Sequence, residues 1–153
     1  MKITEASIQD MNHVRNLFRE YQQWLGIDLC FQKFDQELAN LPGEYAPPGG
    51  AIFAAIEKEE FIGCVAIRPK TEYEAELKRL YVRPSSQGQG IGKQLFLAAM
   101  EKAKAVGYHS MVLDTLFSMK VAKALYLAHG FEEISAYYEN PEEGVKYYRK
   151  VFS

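Results

Sequence analysis

Six residues, Gln87-Gly88-Gln89-Gly90-Ile91-Gly92, stand between an apolar run that reads as a strand and an amphipathic run that reads as a helix. The chemistry this order supports is anion binding. The first turn of a helix has four N–H groups without an intrahelical partner, and the aligned peptide dipoles add positive potential there. Glycines at 88, 90 and 92 permit positive φ and remove the Cβ atoms that would hold a phosphate away from the backbone. A pyrophosphate is therefore expected here, with Lys93 in the first helical turn as a further candidate contact. Two common phosphate loops do not match. A P-loop aligned on Gly92-Lys93 puts Gln87 at its first glycine and Gln94 at its Ser/Thr. The dinucleotide fingerprint started at Gly88 puts Lys93 at its third glycine, with no strand-helix-strand nucleotide half following in the right form.

What remains is [QR]-x-x-G-x-[GA], preceded by L-Y-V-R-P and followed by G-K-Q-L. In these residues the chain resembles the GCN5-related N-acetyltransferase (GNAT) family, whose corresponding loop holds the pyrophosphate of acetyl-coenzyme A. The resemblance covers the whole chain. It implies a mixed, mostly antiparallel α/β sheet flanked by helices, and direct transfer of an acetyl group from acetyl-CoA to an amine. It also implies that Gln87, Gly88, Gln89, Gly90, Ile91, Gly92 and Lys93 bind the cofactor. Backbone groups of Leu80, Tyr81 and Val82 would grip the pantetheine arm as a neighbouring strand would, and an amide freed by a bulge would polarise the thioester carbonyl.

The segment A-K-A-L-Y-L-A-H-G-F is similar to the family's A-x-x-L-Y-x-x-x-G-F, in which the tyrosine protonates the departing thiolate. Tyr126 is that residue here; the competing reading is a core aromatic beside Ala122 and Leu125. An acceptor amine of lysine type, with a pKa of about 10.4, is mostly protonated at neutral pH, so a base is expected. Glu76 lies where several family members place that carboxylate, with Glu72 and Glu74 as lesser candidates. The alternative is that Glu76 pairs with Lys78 or Arg79 on a solvated strand face. The chain departs from the family at Met119, where an asparagine is common; Ser118 and Lys120 are the candidates to replace its polar contact.

The elements that must position these groups follow from periodicity. Residues 2–6 alternate as a short strand, and Ser7 with Asp10 makes a capping-box-like start to a helix carrying Met11, Val14, Leu17, Phe18, Tyr21 and Leu25 at helical spacing, ending near Gly26. A short second helix is expected from Asp35 to Leu41, then a Pro/Gly-rich break. Strands from Ala51 to Glu57 and Phe61 to Arg68 flank a Lys58-Glu59-Glu60 turn, and a third runs from Ala75 to Val82. A helix from Gly90 to Val106, a strand over Met111-Val112-Leu113, a helix from Met119 to His129, and strands from Phe131 to Ser135 and Lys146 to Phe152 complete a layered α/β arrangement.

At 153 residues the chain reads as one domain, residues 1–153. A formal net charge of −2 without Lys/Arg runs gives no basic face for nucleic acid. No apolar signal core or membrane-length run is present, so a cytoplasmic location is expected. Cys30 and Cys64 lack metal-ligand spacing and read as free thiols, and His13, His109 and His129 are scattered, so no metal is expected. Trp24, Cys30, Phe31, Phe34 and Tyr45, with Tyr137, Tyr138 and Asn140, are candidates for the acceptor pocket, although aromatic clusters are more often core. A small amine is the expected acceptor. Acetylation of a protein N-terminus or lysine, and a non-catalytic acyl-CoA sensor, are the rivals; pairing of two copies through edge strands is open.

Overall fold

Strict alternation along the strands and a 3.6-residue stripe along the helices sort the apolar side chains onto two sides of one sheet. The structure, a computed structural model, describes residues 1–26, 33–116, 119–139 and 144–152. Cys30, Phe31, Ser118 and Asn140 lie outside the described residues. The strands are β1 (Lys2–Glu5), β2 (Ala51–Glu57), β3 (Glu60–Pro69), β4 (Glu74–Val82), β5 (Ser110–Thr115), β6 (Glu132–Ile134) and β7 (Lys146–Val151). The helices are α1 (Met11–Leu25), α2 (Phe34–Ala39), α3 (Ile91–Val106) and α4 (Lys120–Ala128). The sheet order is β1-β2-β3-β4-β5-β7-β6, antiparallel throughout except for the parallel pair β4–β5.

One face of the sheet meets α3 through Val65, Ile67, Leu77, Leu95, Phe96 and Leu113. The other meets α1 and α2 through Val14, Leu17, Phe18, Phe34, Cys64 and Ala66. Left-handed glycines end the long helices: Gly26 closes α1 and Gly107 closes α3. The expected capping box at Ser7 is present, with the Ser7 N–H donating to Asp10 Oδ2 at 2.9 Å. It closes a 3-10 turn over Ile8–Asp10, so α1 itself begins at Met11. The β2–β3 turn needs only Lys58 and Glu59, both at positive φ, which lets Glu60 join β3. The short helix α2 begins at Phe34 and ends at Ala39, two residues before the expected Leu41.

Two features of β4 prepare a cleft. Its parallel pairing with β5 covers only Glu74↔Ser110 to Glu76↔Val112. Beyond that, the β5-facing edge of Leu80, Tyr81 and Val82 has no strand beside it among the described residues. The second feature is a bulge. Ala66 pairs with Lys78 and Cys64 with Tyr81, so Val65 alone faces both Arg79 and Leu80. The extra residue shifts the alternation by one: Ala75 and Leu77, then Leu80 and Val82, all turn to the α3 side, while Tyr81 joins the α1 side.

Arg79 carries the bulge with φ +61°, a conformation that costs a non-glycine residue about 1–3 kcal/mol. Its guanidinium is held by Glu37 of α2, Nε and Nη2 each donating to a carboxylate oxygen at 2.9 Å. The side chains are only 3% and 11% exposed. The Cys64 thiol donates to the Arg79 carbonyl at 3.4 Å, a further hold on the strained peptide.

Candidate active site

The glycine-rich loop opens directly off the end of β4. Gln87 Nε2 donates to the Val82 carbonyl at 2.9 Å, folding the loop back on the strand that precedes it. Arg83 is clamped to α1 by Glu20, with Nε and Nη2 donating at 2.9 and 2.8 Å. Gly88 and Gly90 have φ of +81° and +79°, and a Cβ at either would meet nothing within 4 Å. Backbone conformation, not crowding, is what calls for glycine at these two positions, and the space before them is open. Gly92 differs from expectation: it lies inside α3 without positive φ, and a Cβ there would make ordinary contact with Val82 Cγ2 at 3.7 Å.

Gly90 is the N-cap of α3, with no side-chain cap and no acidic residue in the first turn. The amides of Ile91, Gly92 and Lys93 therefore point out of the helix start with no carboxylate of their own turn to answer them. Ile91 is buried and anchors the turn; Gln87, Gln89 and Lys93 are exposed beside it. Gly90→Asp places a strained residue and a negative charge at that seat. Coenzyme A affinity in that variant is expected to fall at least about a hundredfold, the loss of one or two charge-assisted contacts. Calorimetry checks this, and retained affinity would remove the loop from the site.

On the α1/α2 face, β4 presents a row of buried charges. Glu76 is 5% exposed. Its Oε1 accepts from Arg68 Nε at 2.9 Å, its Oε2 accepts from the Tyr137 hydroxyl at 2.8 Å, and Lys78 Nζ stands 3.9 Å away. Burial pushes this carboxyl upward, but Lys78, Arg68 and the Tyr137 hydroxyl more than reverse it, holding it below the usual range. A general base working near neutral pH needs the opposite shift. The setting also corrects the alternative expectation: the pairing partners are Lys78 and Arg68, not Arg79, and the strand face is buried, not solvated. Glu74 is similarly engaged by Arg149 and Ser110, while Glu72 is exposed.

Residues 137 and 138 lie over this row. Tyr138 donates its hydroxyl to Asp114 at the end of β5 and packs tilted on Tyr137 and edge-to-face with Tyr147, ring centres 5.3 to 5.5 Å apart. Lys70 stands 5.0 Å from the centre of the Tyr137 ring. Of the other acceptor candidates, Trp24 is 46% exposed and packs on Tyr81 at 5.7 Å. Phe34 and Tyr45 are core residues under α2, 1% and 2% exposed, because the α1/α2 layer needs large apolar side chains to cover the sheet.

Tyr126 is the one buried residue of α4, 2% exposed between Phe96 and Phe131, whose ring centres are 5.4 and 5.9 Å away. Burial, assisted by Tyr21 and Asp114, pushes its phenol far above the ordinary value, so it stays protonated. Met119 turns back on its own loop, its Sδ accepting from the Leu116 amide at 3.4 Å. Lys120 is exposed.

The model of the acetyltransferase (GNAT) family matches residues 11–131. The chain belongs to the GNAT family. An uncharacterized N-acetyltransferase of Schizosaccharomyces pombe is 41% identical over 147 residues, covering 95% of this chain and 90% of its own. The crystal structure of an acetyltransferase from Streptococcus agalactiae superposes with a TM-score of 0.80 at 23% identity, covering 99% and 98% of the two chains. The PaiA N-acetyltransferase of Thermoplasma acidophilum, crystallised in complex with coenzyme A, does so at 0.76 and 23% identity, again covering 99% and 98%. At that identity the two structures speak for the fold, and they share it along nearly the whole chain.

This GNAT protein is thus an acetyl-CoA-dependent N-acetyltransferase, and its own residues fit that donor. The acid-free start of α3 suits the pyrophosphate, and the uncovered edge of β4 at Leu80–Val82 suits the pantetheine amides. Among the described residues no helix is long and apolar enough to cross a membrane. Reading the sequence alone missed Arg68 as the partner of Glu76 and Glu37 as the partner that holds the bulge. The bulge did leave a signal, the slip from odd to even apolar positions between Leu77 and Leu80.

Proposed function

We propose that this GNAT enzyme acetylates the amine of a small molecule by direct transfer in a ternary complex, with Tyr126 as the proton donor. The observation that supports the acceptor size is the tethering of Tyr137 to Glu76 and Tyr138 to Asp114, which holds these two rings over the α1/α2 face of β4, the face this reading gives to the acceptor. Two rings held over that face favour a small amine over a folded protein's lysine.

Acetyl-CoA supplies the acyl group as a thioester. The loop and the first turn of α3 bind its pyrophosphate, and the bulged strand offers its edge to the pantetheine arm. The amine nitrogen forms the new bond to carbon as the carbon–sulfur bond breaks. The sulfur takes the Tyr126 hydroxyl proton, and the proton shed by the nitrogen goes to water and restores the phenol. Glu76 serves to position Tyr137 and Arg68, so the amine enters already neutral. Direct transfer is supported by Cys64: it is fully buried and burial raises its thiol, so it is a poor acyl carrier.

The test is thiol release from acetyl-CoA with a panel of small amines, amino acids and short peptides, measured across pH. Release with small amines is expected, rising about tenfold per pH unit below the acceptor's own pKa, as the neutral fraction does. Release with peptides alone would overturn the acceptor reading. Tight coenzyme A binding with no release from any acceptor would favour a sensor.

A further inference from the structure

A cavity of about 340 Å³ lies on the same face, between α2, the turn at Gly43–Tyr45 and the end of β3. That volume is the low end of small-ligand sites. Lys33, Gln36, Asn40, Glu44, Tyr45 and Arg68 contribute to its lining. One polar group there has a donor to spare: Arg68 uses Nε on Glu76 and Nη1 on Glu44, while its Nη2 donates to no group among the described residues. The Tyr45 hydroxyl is buried beneath the cavity, away from its open space.

A guanidinium fork with a spare N–H recognises a planar carboxylate well. Glu37 and Glu44 balance Lys33 and Arg68 in the lining, so a single carboxylate fits by taking the place of Glu44, 70% exposed, on Arg68, whereas that exchange does not balance a phosphate dianion. The cavity is also coupled to the reaction site: Arg68 pairs with Glu76, and Glu76 holds Tyr137. From Glu76 to the bulge at Leu80 is four strand residues, about 10–13 Å at 3.3 Å each.

We propose that this cavity seats a carboxylate at the far end of the acceptor, so that the substrate is an amino carboxylate whose reacting amine stands about 10–13 Å from its anionic end. The inference rests on the small-amine reading above and adds the acceptor's chemical class.

The experiment is a ladder of straight-chain ω-amino acids from β-alanine upward, each beside its uncharged amide, with kcat/KM read by thiol release. Expected is a maximum where the extended molecule reaches that span, with each amide at least about tenfold poorer, the value of a charged hydrogen bond. Glu44 is 70% exposed in its side chain and competes for Arg68. Glu44→Gln is therefore expected to lower KM for the acids more than for the amides. Arg68→Gln is expected to erase the acid–amide difference; should it fail to fold, the ladder and Glu44→Gln carry the test. Amides as good as acids, or no dependence on length, overturn the carboxylate seat while leaving the small-amine enzyme intact. Acetylation of peptides with none of the ladder accepted overturns both.

Discussion

Replacing Tyr126 by Phe is expected to lower kcat by about two to three orders of magnitude, the usual worth of a positioned proton donor, with coenzyme A affinity within about twofold of the parent. The separation of the two effects follows from the geometry. The ring is packed between Phe96 and Phe131, so phenylalanine keeps every apolar contact and removes only the hydroxyl. The proposed pyrophosphate seat lies on the loop after β4, away from Tyr126. Burial keeps the phenol protonated and also makes it a weaker acid, so it gives its proton only in concert with the negative charge that develops on the sulfur. Steady-state kinetics with binding calorimetry decide the matter: an unchanged kcat would take Tyr126 out of the mechanism and leave it as core.

Glu37→Ala is expected to have the largest effect on stability. It takes the bidentate partner from the Arg79 guanidinium, 3% exposed. Breaking a buried pair from one side costs about 3–5 kcal/mol, against about 0–1 for an exposed one. For a chain of this size that is a fall in Tm of about 10–15 °C. Glu133→Ala is the control, because its pair with Lys146 is half exposed on both sides, and it should leave Tm nearly unchanged. Arg79 also sits at φ +61°, and Glu37 is what fastens it there. Folded Glu37→Ala protein should therefore lose turnover as the bulge relaxes. Equal Tm values for the two variants would show that the buried pair contributes nothing.

What was readable in the sequence was local. The stripe Met11, Val14, Leu17, Phe18, the glycines ending α1 and α3, and the strand-loop-helix order around Gly90 all act within a few residues of themselves, so their spacing is their cause. The settings of the functional carboxylates were not readable for the opposite reason. Glu37 and Arg79 are 42 positions apart and Glu76 and Tyr137 are 61 apart. Nothing in the neighbourhood of Glu76 tells it apart from a surface strand glutamate; only the folded sheet brings Arg68 and Tyr137 to it. Phe34 was misread as pocket because an aromatic that covers a sheet and one that lines a pocket look alike in composition.

The bulge in β4 gives that strand two frames. Before it, odd-numbered residues face α3 and even-numbered ones face the acceptor; after it, the assignment is reversed. Deleting one residue at the bulge would leave Leu80 and Val82 on the α3 side, whereas flattening the bulge with every residue kept would turn them to the α1/α2 side and put Tyr81 into the α3 core, exchanging the two faces along half the strand. A scan of substitutions along β4 should accordingly show its sensitivity to stability at 75 and 77, then at 80 and 82, with the acceptor-sensitive positions stepping out of phase at the same point.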